Sequence, residues 1–409
     1  MERIEHKWIK EKKVTMQRQV NSIDYVLFTS LFLLYSNGYL LNELFKRYSL
    51  PPIFTILRLF ILLVILLRCM QGYFRLSNNV KFILCTILIM SAYFVGISII
   101  DGELILGLIS LRTYIEPFFV YILVAFYINN VGITNRLVAI YINTILFTAI
   151  ISLIFYSIYY IGYLEYFVSE YSTCFLPGMI FRSFLPIGDP NALGLLLSCG
   201  IMVVYLSDIA RKKIIQITLL LSLLLTFSKS AILALLFFFA LSIFTKVKNM
   251  IKISFIVGGI LGGGYIILKH YFYESPLYSY LLNLFAGEDP SSNGHLYSYL
   301  EAIEKIHEYF LFGYPTGTVG SRMTDMAYNV ESSFFILLYD KGIIFFVMYI
   351  SIVFMLLINV ARNSAVIRYI LSIILGLFFL PTIQFVECLS LIAISPLLIS
   401  KSTYKAGCV

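Results

Sequence analysis

Twelve apolar runs, most of them long enough to cross a lipid bilayer, leave this chain few ways to fold. They lie near 24 to 41, 51 to 69, 80 to 100, 113 to 128, 137 to 162, 190 to 207, 213 to 227, 229 to 245, 251 to 269, 332 to 358, 366 to 380 and 382 to 400 of a 409-residue sequence. A hydrocarbon core about 30 Å thick needs roughly 20 helical residues to span, and inside it every backbone N–H and C=O must find a partner. Helices meet that demand within one segment, so the expected fold is an all-α polytopic membrane protein with about 12 transmembrane helices. Composition agrees: 60% of residues are hydrophobic, 13% are charged and the mean hydropathy is +0.90. A soluble chain of this size could not bury so much apolar surface.

The formal net charge of +8 would point to nucleic acid in a soluble protein. Here the Lys and Arg gather at alternate connections, the pattern of cytoplasmic loops, so the partner read from the charge is membrane lipid and no nucleic acid is expected. Residues 1-23, with Lys7, Lys10, Lys12, Lys13 and Arg18 around Trp8, read as a cytoplasmic basic interfacial tail, because no small-residue cleavage site follows the first apolar run. Residues 24-269 then hold spans 1-9, 270-331 an extracytoplasmic loop, 332-400 spans 10-12 and 401-409 a cytoplasmic tail. The six cysteines have no metal-binding spacing and read as free thiols; no metal and no cofactor is expected.

The long loop carries an amphipathic helix between spans 9 and 10. Its start is marked by Ser291-Ser292-Asn293-Gly294, and Leu296, Leu300, Ile303, His307 and Phe310 share one side against Glu301, Glu304, Lys305 and Glu308. His307 is therefore expected to be packed. His295 falls in the first helical turn, where free amides favour a nearby anion. Tyrosines crowd the span ends, as in Tyr156, Tyr159, Tyr160, Tyr163 and Tyr166, in the manner of an interfacial aromatic belt. Tyr297, Tyr299 and Tyr314 are placed to stack on sugar faces as well. The glycines from Gly258 to Gly264 lack the Lys-Ser/Thr of a phosphate loop and read as close helix packing.

Cations on the outer side break the charge rule, and each calls for a reason. Arg112 opens the fourth span and has Glu116 one turn deeper, in ion-pair register. Arg58 lies seven residues into the second span and is expected to snorkel to the outer headgroups. Arg182 precedes Asp189-Pro190-Asn191, where Asp189 suits an N-cap and Pro190 a first helical position. Lys229, between Ser228 and Ser230 at a turn linking two apolar runs, suits anion binding.

Taken in order, Leu111-Arg112-Thr113-Tyr114-Ile115-Glu116-Pro117, Arg182 through Asn191, Leu225-Thr226-Phe227-Ser228-Lys229-Ser230-Ala231, Gly294-His295 through Phe312-Gly313, and Glu331-Ser332 followed by Lys341-Gly342 resemble the bacterial O-antigen polymerase and ligase superfamily (Wzy-type and WaaL-type). The likeness runs from about 110 to 342. Two positions depart from it: the family often has Ser-Arg where Ser228-Lys229 stands and Gly-Arg where Gly294-His295 stands, and its ligases carry a histidine nearer to Glu331.

The resemblance implies a metal-independent glycosyltransferase, a polymerase joining undecaprenyl-diphosphate-linked repeat units of O-antigen or capsule at the outer face of a bacterial cytoplasmic membrane. A chain-length regulator and a flippase are its implied partners. An acceptor hydroxyl would attack the donor's anomeric carbon, with Arg112, Arg182, Lys229, Arg322 and Tyr299 on the diphosphate or glycan and Glu331 or His295 as the base. Two alternatives stay open: an O-antigen-ligase-like transferase of finished glycan, and, in another class, a lipid-linked oligosaccharide flippase or transporter with related halves and mid-membrane charges.

Overall fold

Long apolar runs in a chain with few helix breakers fold as helices, because only there does each segment pair its own backbone. The computed structural model describes residues 22–47, 51, 53–70, 78–100, 102, 104–131, 134–168, 174–176, 180–243, 332–360, 364–380 and 385–402, together with 270, 297, 299–300, 302–304, 306–307 and 309–313. Its helices are α1 (Ser22–Arg47), α2 (Ile53–Met70), α3 (Asn78–Ile100), α4 (Leu104–Val131), α5 (Thr134–Tyr160), α6 (Pro190–Leu206), α7 (Lys212–Leu225), α8 (Lys229–Ile243), α9 (Ser333–Val360), α10 (Ser364–Phe378) and α11 (Val386–Ser402). The described residues form an all-α bundle with very little sheet.

Among the described residues, four segments are long and apolar enough to cross a membrane: Lys81–Ile100, Leu111–Ile128, Arg136–Tyr160 and Ser333–Met355. Pro190–Leu206, Lys229–Ser242, Ser364–Phe378 and Val386–Ile399 are apolar but shorter. Twelve spans were expected, and the glycine run at 258 to 264 and the ninth span lie outside the described residues.

α11 is the axis of the bundle. It packs against α4, α1, α6 and α5, and its Cys388, Leu391, Ile394 and Leu398 are fully buried. Charged contacts distinguish the two ends. One end joins Asp24 to Arg68 at 2.6 Å and brings Arg136 to Tyr25. The other gathers the ends of α1, α5, α7 and α10 and the starts of α2, α6, α8, α9 and α11, tied by Ser183 N–H to Leu225 O at 2.8 Å, Cys388 to Ala192 O at 3.1 Å and Ser333 N–H to Leu380 O at 2.9 Å.

Local chemistry sets several of these starts. Asp189 is extended and accepts from Ala192 N–H at 2.7 Å, with Pro190 as the first helical residue, the cap expected from the sequence. Between α7 and α8, Phe227 takes a left-handed backbone with φ 49°, a conformation costing a bulky residue about 1–2 kcal/mol. The turn holds it by Thr226 Oγ1, which donates to Leu223 O at 2.7 Å and accepts from Ser228 N–H at 3.2 Å.

Above the bundle, β1 (Phe175–Leu176) pairs antiparallel with β2 (Ile180–Phe181). Phe181 stacks on Tyr159 at 3.8 Å, so that tyrosine turns inward, whereas Tyr160, Tyr163 and Tyr166 stay exposed as a belt residue would. The small aromatic core fixes the strand leading to Arg182.

The apolar run from Ser333 is not one continuous span. Gly342 has φ 71° and ψ 175° and breaks α9 into two helices, even though the whole run reads as one by length and hydropathy. Residues 309–313 pack onto the break: Ile343 N–H donates to Phe310 O at 2.9 Å, and Gly313, itself at φ 81°, faces the backbone of 340–342. A Cβ on Gly342 would lie 2.5 Å from Gly313 N. Gly342→Ala therefore strains both the φ and the contact, and is expected to destabilise the protein by about 2–4 kcal/mol, summing backbone strain and overpacking. A thermal midpoint equal to wild type, measured in detergent, would show that the break can move without cost.

The described residues of the expected loop helix do not bury the side read from the sequence. Ala302 and Ile306 are buried and Tyr299 packs on Phe335 at 5.5 Å, while Leu300, Ile303 and Phe310 are exposed and so is His307. His307 is not packed: the apolar stripe that carries it faces away from the protein, and a narrower line of small and aliphatic residues makes the contact.

Candidate functional site

Two polar clusters meet at the end of the bundle where α11 begins. The first is built around Arg58, which the sequence placed near the headgroups. Arg58 is instead 2% exposed. Its Nε lies 3.1 Å from Glu116 Oε1 and its Nη1 donates to Glu387 Oε1 at 2.7 Å. The guanidinium also sits 4.8 Å from the Tyr35 ring centroid, and the Tyr35 hydroxyl donates to Glu116 Oε1 at 2.6 Å. Five residues into α2, Arg58 is only about 8 Å from the helix start, but two carboxylates hold it inside. Snorkelling loses to pairing, because a desolvated guanidinium with two acceptors is better satisfied than one reaching past its neighbours.

Arg112 completes this cluster, its Nε donating to Glu116 Oε2 at 2.7 Å. The i, i+4 pair read from the sequence is present. Its helix begins earlier than expected, at Leu104, so Arg112 lies two turns inside α4 instead of at its mouth. Arg58 and Arg112 face Glu116 and Glu387, so the cluster is balanced, with Arg112 34% and Glu387 22% exposed at their side chains.

The second cluster is centred on Arg182. Its Nε donates to Thr226 O at 2.9 Å and its Nη2 to Asn191 Oδ1 at 2.7 Å. Arg182 thereby clamps the α7–α8 turn to the start of α6, and Lys229 follows three residues after Thr226 as the first residue of α8. Arg182 and Lys229, both half-buried, thus adjoin the same turn, Arg182 through Thr226 O and Lys229 as the residue that begins the helix after it. Ser228 is fully buried and Gly194 gives it room: a Cβ on Gly194 would approach Ser228 Cβ to 2.8 Å.

The two clusters are joined through the first turn of α11. Glu387 takes Arg58, and its neighbour Cys388 donates to Ala192 O, one residue beyond the Asn191 that receives Arg182. Arg112 is thus linked to Arg182 and Lys229 through α11 and not by direct contact.

A third charged group lies at the α9 break. Asp340 Oδ2 is 2.7 Å from Lys341 Nζ and accepts from the Tyr114 hydroxyl at 2.7 Å, while Lys341 Nζ sits 3.9 Å from the Phe94 centroid. Tyr114 stands between Arg112 and Glu116 in α4, so one helix addresses both groups. Tyr299 is apart from them, against α9, and burial raises its hydroxyl pKa. Glu331, His295 and Arg322 lie outside the described residues.

Sequence reasoning missed Glu387, Asp340 and the partners of Arg58. The signal available was an acid or base inside or at the edge of an apolar run, which marks a buried pair whose partner is distant in sequence. Among the described residues no group of three or more metal-ligating side chains is found, and the free cysteines are Cys85, Cys174, Cys199 and Cys388.

No family model matches the chain, and no curated protein matches it.

Proposed function

We propose that the chain is a polysaccharide polymerase that joins undecaprenyl-diphosphate-linked repeat units, of an O-antigen or a capsule, at the outer face of a bacterial cytoplasmic membrane. The observation that carries the reading is the clamp of Arg182 on the turn that starts α8 at Lys229. It sets two cations at one edge of an apolar bundle, beside a balanced pair network that keeps Arg112 partly accessible. Such cations suit a departing diphosphate. That group needs charge stabilisation more than it needs a proton, and preorganised donors in a poorly solvated site supply it.

In the proposed reaction the acceptor oxygen attacks the anomeric carbon of the donor chain, the bond to the diphosphate breaks, and its electron pair leaves on lipid diphosphate. The hydroxyl proton passes to Glu331, with His295 as the alternative base, while Arg322 and Tyr299 hold the glycan or diphosphate. The active end faces outward. A chain-length regulator and a flippase are the proposed partners, and transfer of finished glycan to another acceptor is the neighbouring reading.

A transporter is the second reading, and one observation favours it: α9 is a broken helix with the buried pair Asp340–Lys341 at the break, a feature of substrate pathways in carriers. The packing of residues 310–313 onto that break gives the polymerase reading its own use for it, as the seat of the loop.

Membranes supplied with lipid-linked repeat units test the assignment. Wild-type membranes are expected to lengthen the glycan, Glu331→Gln membranes to be inactive and His295→Ala membranes to keep measurable turnover. Near-normal turnover in Glu331→Gln with a dead His295→Ala would transfer the role to His295, and survival of both would remove the base from this loop.

A further inference from the structure

Arg182 is aimed by its backbone as much as by its guanidinium, and that aim depends on hydroxyls that no step of the proposed reaction uses. Residues 182–188 enter the apolar bundle without forming a helix, with Ser183, Phe184, Leu185 and Ile187 buried. Non-helical backbone in such surroundings persists only where the protein supplies its partners. Here Arg182 N–H donates to Cys174 O at 2.8 Å, Ser183 N–H to Leu225 O at 2.8 Å and Gly188 N–H to Phe184 O at 2.9 Å, while Pro186 O accepts from Leu40 N–H at 3.2 Å.

The side chain of Ser183 adds a knot of three hydroxyls. Its Oγ lies 2.7 Å from Ser152 Oγ on α5, and Ser222 Oγ on α7 donates to the same Ser152 Oγ at 3.0 Å. All three serines are at most 2% exposed. One order of protons satisfies them: Ser222 donates to Ser152, Ser152 to Ser183, and Ser183 to Ser152 O at 3.4 Å. Ser222 stands one turn before Thr226, whose carbonyl receives Arg182 Nε. Arg182 and Ser183 are therefore fixed to the end of α7 by the Ser222 hydroxyl, acting through Ser152, and by the carbonyls of Leu225 and Thr226. Apolar packing alone is non-directional and lets a segment slide or rotate. A buried hydroxyl keeps its partners in one register only, and a shift strands it at the cost of a lost hydrogen bond.

We infer that Ser152 and Ser222 are positioning residues for the proposed transfer: through Ser183 they set the depth and rotation of Arg182 against the turn that leads to Lys229. The inference rests on the polymerase reading for the role of Arg182. Both serines are fully buried, so they act on the reaction through Arg182 and not on the substrate.

The test uses the full chain in nanodiscs and takes two readouts. In the first, phenylglyoxal modifies arginines, and mass spectrometry follows the peptide of Arg182 with that of Arg112 as internal reference. Ser152→Ala and Ser222→Ala are each expected to speed modification of Arg182 about fivefold, the scale of one lost hydrogen bond, and to leave Arg112 unchanged. Ser222→Thr keeps the hydroxyl and should match wild type. In the second, lipid-linked repeat units are supplied and kcat and KM are measured. Charge stabilisation of a departing group acts on the transition state, so kcat is expected to fall about tenfold in Ser152→Ala with KM within about twofold of wild type. Ser222→Ala, which removes a single bond at the edge of the knot, carries the test if Ser152→Ala does not fold. Unchanged modification of Arg182 in the folded variants, or a lower thermal midpoint with kcat per folded protein unchanged, would overturn the inference and leave the knot a purely structural one. Faster modification of Arg182 in the variants with no lengthening by wild type would instead remove the polymerase reading and leave the aim of Arg182 standing.

Discussion

Arg58→Ala is expected to lower stability by about 3–5 kcal/mol, the cost of breaking a buried ion pair from one side. Removing the guanidinium leaves Glu116 and Glu387 facing each other across a desolvated gap, with Arg112 alone to offset them. Both acids sit on helices that meet along the bundle axis, so the repulsion acts on the α4–α11 contact itself. Arg58→Lys keeps the charge but loses the planar fork that serves two carboxylates at once, and should fall between the two. Arg58→Ala combined with Glu116→Gln should recover part of the loss, because it removes one of the stranded charges. Thermal unfolding in detergent, with the yield of monodisperse protein, measures all three. An unchanged midpoint in Arg58→Ala would mean that this network does not hold the bundle.

Lys229→Ala should leave the fold close to wild type and remove most of the activity. Lys229 begins α8, but the turn before it is held by Thr226 and by Arg182, not by the lysine. Loss of one preorganised charge facing a departing anion typically costs about 10²- to 10³-fold in turnover. Cells carrying the variant should accumulate single repeat units on their lipid carrier. Arg182→Ala should be inactive too, but for a mixed reason: it frees the Thr226 carbonyl and Asn191 as well as removing a cation. A lower thermal midpoint in Arg182→Ala than in Lys229→Ala separates the two roles. Normal glycan length in Lys229→Ala would exclude it from diphosphate binding.

What was legible in the sequence followed local rules. Asp189-Pro190 marks a helix start through the cap it makes with its own chain, and Arg112 with Glu116 shows its pair by register alone. Arg58 was misjudged because its depth can be counted from Pro51 but its partners come from residues 58 and 329 positions away along the chain. His307 was misjudged for a related reason. An amphipathic pattern identifies two faces, but which one meets protein depends on what lies beneath, and here Ala302 and Ile306 fit against the bundle while the larger stripe does not. The break at Gly342 is hidden by hydropathy, since its flanks are equally apolar; the polar triplet Asp340-Lys341-Gly342 was the only mark of it in that run.

The most direct test of the central claim places the purified chain in sealed liposomes with a lipid-linked repeat unit and resolves the products by glycan length and by membrane leaflet. Products carrying two or more repeat units on one lipid, formed by wild type and lost in Lys229→Ala, are the predicted result. Passage of single units from one leaflet to the other, with no lengthening, would contradict the account and identify a transporter.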